Sequence, residues 1–149
     1  MNTVNQPVYV LRFCGVSDGN PGPAGAAAIL CAEDRTAVLC RFRWGLGNQT
    51  VIAAEYLALI LGLHQAINKG YKNIIAEGNS PRVVNQVDGF EYAHAPIRRL
   101  WKKALALKDK FHSFHIQLIP RVENGLADAQ AKQAVNLEDG EVQEDNFVA

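Results

Sequence analysis

The chain lacks any paired-cysteine signature. Its three cysteines, Cys14, Cys31 and Cys40, form neither a CxxC pair nor an even set. That argues against a disulfide framework and against a zinc knuckle, and fits reduced, buried thiols in an intracellular protein, with no organelle indicated. Excess charge is also missing, since fifteen Lys and Arg balance fifteen Asp and Glu. Residues 1–7 carry no basic start followed by an apolar run, so no secretory signal is expected. No apolar stretch of bilayer length is expected either, and with it no membrane partner. No internal repeat or low-complexity segment interrupts the chain. What is present is ordinary for one globular domain with a full core: 149 residues, 48% hydrophobic and 20% charged.

The balanced charge is unevenly spread. Glu138, Asp139, Glu141, Glu144 and Asp145 put five of the fifteen acids after Leu137. Residues 1–137 therefore hold ten acids against fifteen bases, a surplus of +5. The pattern predicts a domain over 1–137 and a flexible acidic tail over 138–149. A mildly basic body is compatible with nucleic-acid binding and equally with an ordinary solvated surface.

Val8 to Val16 is apolar at nearly every position and ends in the breaker cluster Asp18-Gly19-Asn20-Pro21-Gly22-Pro23. A second apolar run, Ala24 to Ala32, follows, which reads as strand, tight turn, strand. Ala37 to Trp44 alternates Arg41 and Arg43 with Cys40, Phe42 and Trp44, the period of a strand with one wet face. Ala53 to Lys69, closed by Gly70, is apolar almost all round and predicts a buried helix. Lys72 to Glu77 and Phe114 to Ile119 read as strands. Pro81 to Val87, Pro96 to Lys110 and Gly125 to Val135 read as helices, two of them begun by Pro. This order predicts an α/β three-layer fold around a five-stranded mixed sheet, an antiparallel meander followed by alternating helices and strands.

Two acids and one helix carry chemical interest. Glu55 lies in the first turn of the apolar helix and Asp128 in the first turn of the last. Either is a ligand-type carboxylate in an apolar setting or an acid complementing a helix dipole. Arg98, Arg99, Lys102, Lys103, Lys108 and Lys110 concentrate on one helix as a broad stripe. It is either a solvated face or a surface that tracks phosphates.

Four spaced motifs resemble those of the plant-type ribonuclease H-like domains of the type 1 ribonuclease H group. They are Cys14-Gly-Val-Ser-Asp-Gly-Asn-Pro-Gly-Pro, then Gly47-x-x-Thr-x-x-x-Ala-Glu-Tyr, then Gly78-Asn-Ser with Val83-Val-Asn-Gln-Val-x-Gly, and Ile119-Pro-Arg-x-x-Asn-x-x-Ala-Asp. They come in family order and span Val8 to Ala134. The resemblance implies a ribonuclease H fold and, in the intact family, four carboxylates holding two Mg²⁺ ions that cut the RNA strand of an RNA/DNA hybrid. Carried over by position, the quartet is Cys14, Glu55, Asn79 and Asp128, so two carboxylates are replaced. The metal ligands left are Glu55 and Asp128. Val51 and Ile52 stand where the family has the asparagines that sense RNA 2′-hydroxyls.

The resemblance also points to Asn20, Thr50, Arg121 and Asn124 as nucleic-acid contacts, beside Arg98, Arg99, Lys102 and Lys103. It implies a ribonuclease H-fold domain with impaired catalysis that binds RNA/DNA hybrid, double-stranded RNA or a protein partner. Two further classes stay open. One is an active endoribonuclease using Mg²⁺ or Mn²⁺, the other a purely structural interaction module without a cofactor. Asp18 is either a replacement acid or a solvated turn residue, and His64, His94, His112 and His115 lie outside the loop before the last helix.

Overall fold

The computed structural model describes residues 6–147. Strands β1 (Val8–Ser17), β2 (Gly22–Ala32) and β3 (Val38–Gln49) form the antiparallel meander, and α1 (Val51–Asn68) follows at once. Then come β4 (Asn73–Gly78), α2 (Pro81–Val87), α3 (Arg98–Lys108), β5 (Ser113–Leu118), a short 3₁₀ turn (Arg121–Asn124), α4 (Gly125–Ala134) and β6 (Val142–Asn146). The sheet order is β5-β4-β1-β2-β3-β6, with β4 parallel to both β1 and β5. The mixed three-layer architecture is the one expected, with one strand more.

That strand overturns the expectation of a flexible acidic tail. Residues 142–146 lie antiparallel along β3, pairing Cys40 with Asn146 and Trp44 with Val142. Two of the five acids that suggested fraying meet cations. Asp145 takes Arg41 and Arg43, each at 2.7 Å, and Glu144 takes Lys69 at 3.3 Å. The wet face of β3 was thus complementary to the tail, and an open sheet edge was covered.

A second expectation also needs correction. By length and composition α1 is apolar enough to cross a bilayer, at 18 residues and mean hydropathy 1.4. Its place is instead the core, where Tyr56, Leu59 and Leu63 are fully buried against Leu11, Phe13 and Leu30. The helix begins where Thr50 accepts a hydrogen bond from the Ala53 amide, 3.2 Å away. α3 starts two residues later than expected, at Arg98, after a turn over residues 95–97.

Small residues set how closely the layers meet. A Cβ on Gly15 would collide with the Ala54 carbonyl carbon and the Glu55 amide nitrogen, so β1 and the first turn of α1 touch backbone to backbone. On the other face α4 packs on β1, β2 and β3, with Ala127 and Ala131 against Val10, Cys14 and Ala27.

Beyond α4, that face carries a buried carboxylate, Glu77 on β4, held by Arg12 (3.0 Å), Arg35 (2.7 Å) and Gln117. Burial opposes its charge, but hydrogen bonds from Arg35, Gln117 and Arg12 overcome this and hold the carboxyl down at about 2. Arg12 also donates to the Glu123 carbonyl at 2.6 Å, which ties the 3₁₀ turn to β1. Because the folded value lies below the ordinary 4.5, this stabilisation is present above about pH 4.5 and lost as pH falls toward 2. Glu77→Gln should cost about 3 kcal/mol near neutral pH and flatten the acid limb of the stability curve. Urea unfolding across the acid range checks both, and an unchanged acid limb would contradict the assignment.

Candidate functional site

Four elements converge at the C-terminal ends of β1 and β4. β1 delivers Cys14, the first turn of α1 delivers Glu55, and the residue after β4 is Asn79. The first turn of α4 supplies Asp128. All four line one cavity of about 350 Å³, together with Arg121, Ser17, Ser80 and Val51. The residues carried over from the first, second, third and fourth motifs therefore meet in one place.

Glu55 is buried, and its Oε1 accepts a hydrogen bond from the Gly15 amide. Burial pushes its carboxyl up to about 7; the Gly15 bond and the Arg121 charge pull it down, and Asp128 adds a further upward push. Cys14 is 3% exposed, and burial, Glu55 and Asp128 together raise its thiol far above the ordinary value. It is a neutral S–H group, donating to Asp128 Oδ1 across 3.8 Å. The other Asp128 oxygen takes Lys132 Nζ at 2.9 Å, one helical turn on.

Asn124 is a correction. It was expected to touch nucleic acid, yet it is wholly buried. Its Nδ2 donates to the Phe13 carbonyl at 2.9 Å and to Asn79 Oδ1 at 2.7 Å. It is a brace that joins β1, the residue after β4 and the turn before α4. An asparagine this close to a helix start reads from sequence as a cap or a surface contact; only the fold brings Phe13 and Asn79 to it.

Asn20 and Thr50 lie next door, lining a second cavity of about 460 Å³ with Ile52, Arg82, Gln86, Tyr92 and His94. Both side-chain acceptors serve the start of α1, because Asn20 Oδ1 accepts from the Val51 amide at 3.0 Å. Val51 lines the first cavity and Ile52 the second, so the apolar replacements bridge the two.

On α3, Arg98, Arg99 and Lys102 are exposed around a shallow hollow with Ala95 and Pro96, the latter pair also bordering the second cavity. Lys103 departs from this group. It lines a separate groove with Trp44, His64 and Val142, away from the cleft.

Sequence reasoning missed the aromatic wall of the second cavity. Tyr92 packs edge-on to Trp101 at 5.2 Å and to His94 at 4.8 Å, with the Arg98 guanidinium 5.9 Å over its ring. Trp101 donates to the Gln86 carbonyl at 2.9 Å, and the Gln86 side chain accepts from Tyr56. Aromatic residues interleaved with Arg98 and Arg99 were the available signal, masked by the acidity of residues 88–91.

The donor set does not fit a pair of Mg²⁺ ions. Two such ions about 4 Å apart repel by on the order of 15 kcal/mol at an effective dielectric constant of ~20. Two carboxylates, one already bonded to an ammonium and a thiol, leave most of that repulsion uncompensated. Cys14 is neutral and soft, and the Asn79 carbonyl oxygen is committed to Asn124. Among the described residues, no cluster of three or more His, Cys, Asp or Glu is arranged to hold a metal ion.

The family described as Reverse transcriptase-like matches residues 13–134. A bifunctional protein of Mycobacterium tuberculosis is 34% identical over 128 residues, which cover 85% of this chain and 35% of that protein. The chain thus spans about a third of the length of this curated relative. The N-terminal RNase H domain of that protein, solved as a fusion with maltose-binding protein, is similar at a TM-score of 0.85 and 32% identity, covering 88% of this chain and 95% of that one. The crystal structure of RNase H1 from Halobacterium salinarum is similar at 0.83 and 33%, covering 87% and 98%. A compost-derived RNase H1 solved in complex with an RNA/DNA hybrid is similar at 0.80 and 27%, covering 86% and 96%.

The raised carboxyl of Glu55 has a measurable consequence. Its contribution to stability is complete below about pH 4.5 and is lost as pH rises through about 7. Glu55→Gln keeps an acceptor for the Gly15 amide and removes the charge. It should leave stability unchanged near pH 4 and raise it by about 2 to 3 kcal/mol near pH 8. Thermal or urea unfolding at the two pH values tests this, and equal effects at both would refute it.

Proposed function

The chain belongs to the reverse transcriptase-like family and carries a ribonuclease H fold, and from that premise we propose that it binds RNA/DNA hybrids while cutting them poorly or not at all. Binding is supported by the two adjoining cavities, the aromatic wall around Tyr92 and the exposed Arg98, Arg99 and Lys102. The observation that carries the loss of hydrolysis is the hydrogen bond from Asn124 to Asn79 Oδ1, beside the neutral thiol of Cys14. Both positions where the family supplies a carboxylate are uncharged, and neither presents a free hard oxygen to the cleft. Loss reaches the reading loop as well, since Val51 and Ile52 have no polar group with which to sense a 2′-hydroxyl.

In this reading the protein's residues bind and orient a duplex. Arg98, Arg99 and Lys102 engage phosphates, Tyr92 offers a ring face, and Arg121 meets the strand above Glu55 and Asp128. Three free buried thiols suit an intracellular, reducing setting.

Restoring the carboxylates tests the reading. Cys14→Asp with Asn79→Asp should give Mg²⁺- or Mn²⁺-dependent cleavage of a labelled hybrid, because the backbone frame that aims those positions is intact. Either change alone should do much less, since groups acting as a unit are non-additive. The double variant should discriminate poorly between hybrid and other duplexes while Val51 and Ile52 remain. A folded double variant that binds hybrid and cuts no duplex would contradict the metal-site explanation. Failure of the unmodified chain to bind any duplex at low salt would contradict the binding reading itself.

A further inference from the structure

Resting on that duplex-binding reading, we propose that the cleft holds a backbone phosphate directly through Arg121, Lys132 and the Asn79 amide, with no metal ion between protein and phosphate. The replaced positions do more than subtract negative charge; they turn acceptors into donors. Asn124 Nδ2 is fixed by two acceptors, the Phe13 carbonyl and Asn79 Oδ1, so the Asn79 amide has one orientation. Its oxygen faces the buried brace. The NH₂ on the other branch of the planar amide makes no hydrogen bond among the described residues, and it is the donor Asn79 has left for the cavity it lines. An aspartate there would present an oxygen.

Cys14 follows the same logic, because its S–H is donated to Asp128 Oδ1. Asp128 is engaged on both oxygens, by the thiol and by Lys132. Lys132 has a side chain 67% exposed, so its ammonium can meet a ligand while staying beside Asp128. Arg121 lines the cavity and is exposed, and its guanidinium makes no hydrogen bond or ion pair among the described residues. Two carboxylates, Glu55 and Asp128, therefore face two protein cations and an amide donor. That set is close to neutral and rich in N–H groups, which suits a phosphodiester oxygen and gives a divalent cation little to bind.

Fluorescence anisotropy of a labelled RNA/DNA hybrid, with excess EDTA and then with Mg²⁺ at matched ionic strength, tests this. The unmodified chain should bind with Kd equal within about twofold in the two buffers. Arg121→Ala and Lys132→Ala, both exposed and read alongside an unchanged melting temperature, should each weaken binding in EDTA by about threefold or more. Asn79→Asp should weaken binding in EDTA and recover it in Mg²⁺, since it returns a charged acceptor to the cleft. A Kd for the unmodified chain that tightens about tenfold or more with Mg²⁺ would overturn the proposal and leave hybrid binding standing. Absence of binding in both buffers would overturn it together with the reading on which it rests.

Discussion

At Gly15 the backbone of β1 and the first turn of α1 touch with no side chain between them. Much of the site depends on that contact. It brings Ala54 and Glu55 against the end of β1, so that the Gly15 amide can bind the Glu55 carboxylate beside Cys14. The same helix register points Tyr56 at Gln86, whose carbonyl takes Trp101 and so anchors the aromatic wall of the neighbouring cavity. A larger residue at position 15 would push the helix outward and separate these groups together. The frame is therefore a packing constraint, which explains how it persists where its carboxylates do not. Nothing in the contact requires residue 14 or 79 to be charged.

Two buried carboxylates show what such a frame does with charge. Glu77 has Arg12, Arg35 and Gln117 around it and is held ionised down to about pH 2. Glu55 has one backbone amide and the more distant Arg121, and burial leaves its carboxyl near 7. The first is a structural pair fully satisfied by the protein. The second is under-compensated, the condition of a group whose partner comes from outside. Partial protonation answers that deficit near neutral pH, since burial leaves the Glu55 carboxyl titrating at about 7.

Much of this was legible in the sequence because the informative signals were local. Apolar runs, the Asp18 to Pro23 breaker cluster and Gly70 located β1 to β5 and α1, although β3 runs on past Trp44 to Gln49. Four motifs in order located the cavity, because each sets its residue near the end of a strand or the start of a helix at the same edge of the sheet. What stayed hidden depended on pairing across long separations. β6 is stabilised by Arg41 and Arg43, about a hundred residues away, so its acids read as a solvated run. Asn124 became a brace only when β1 and the segment after β4 closed around it. Lys103 shares a basic helix with Lys102, yet the packing of α3 on α1 sends the two to different grooves. Periodicity gives the face of a helix, and tertiary packing decides what that face meets.

We propose that the fold and the cleft are kept while the means of hydrolysis is gone. The most direct measurement is single-turnover cleavage of an end-labelled RNA/DNA hybrid by an excess of the unmodified chain in Mg²⁺ or Mn²⁺, beside the Glu55→Ala variant. The account predicts that bound hybrid survives, with no metal-dependent cleavage above that of the variant. Efficient cleavage by the unmodified chain, abolished by Glu55→Ala, would contradict it.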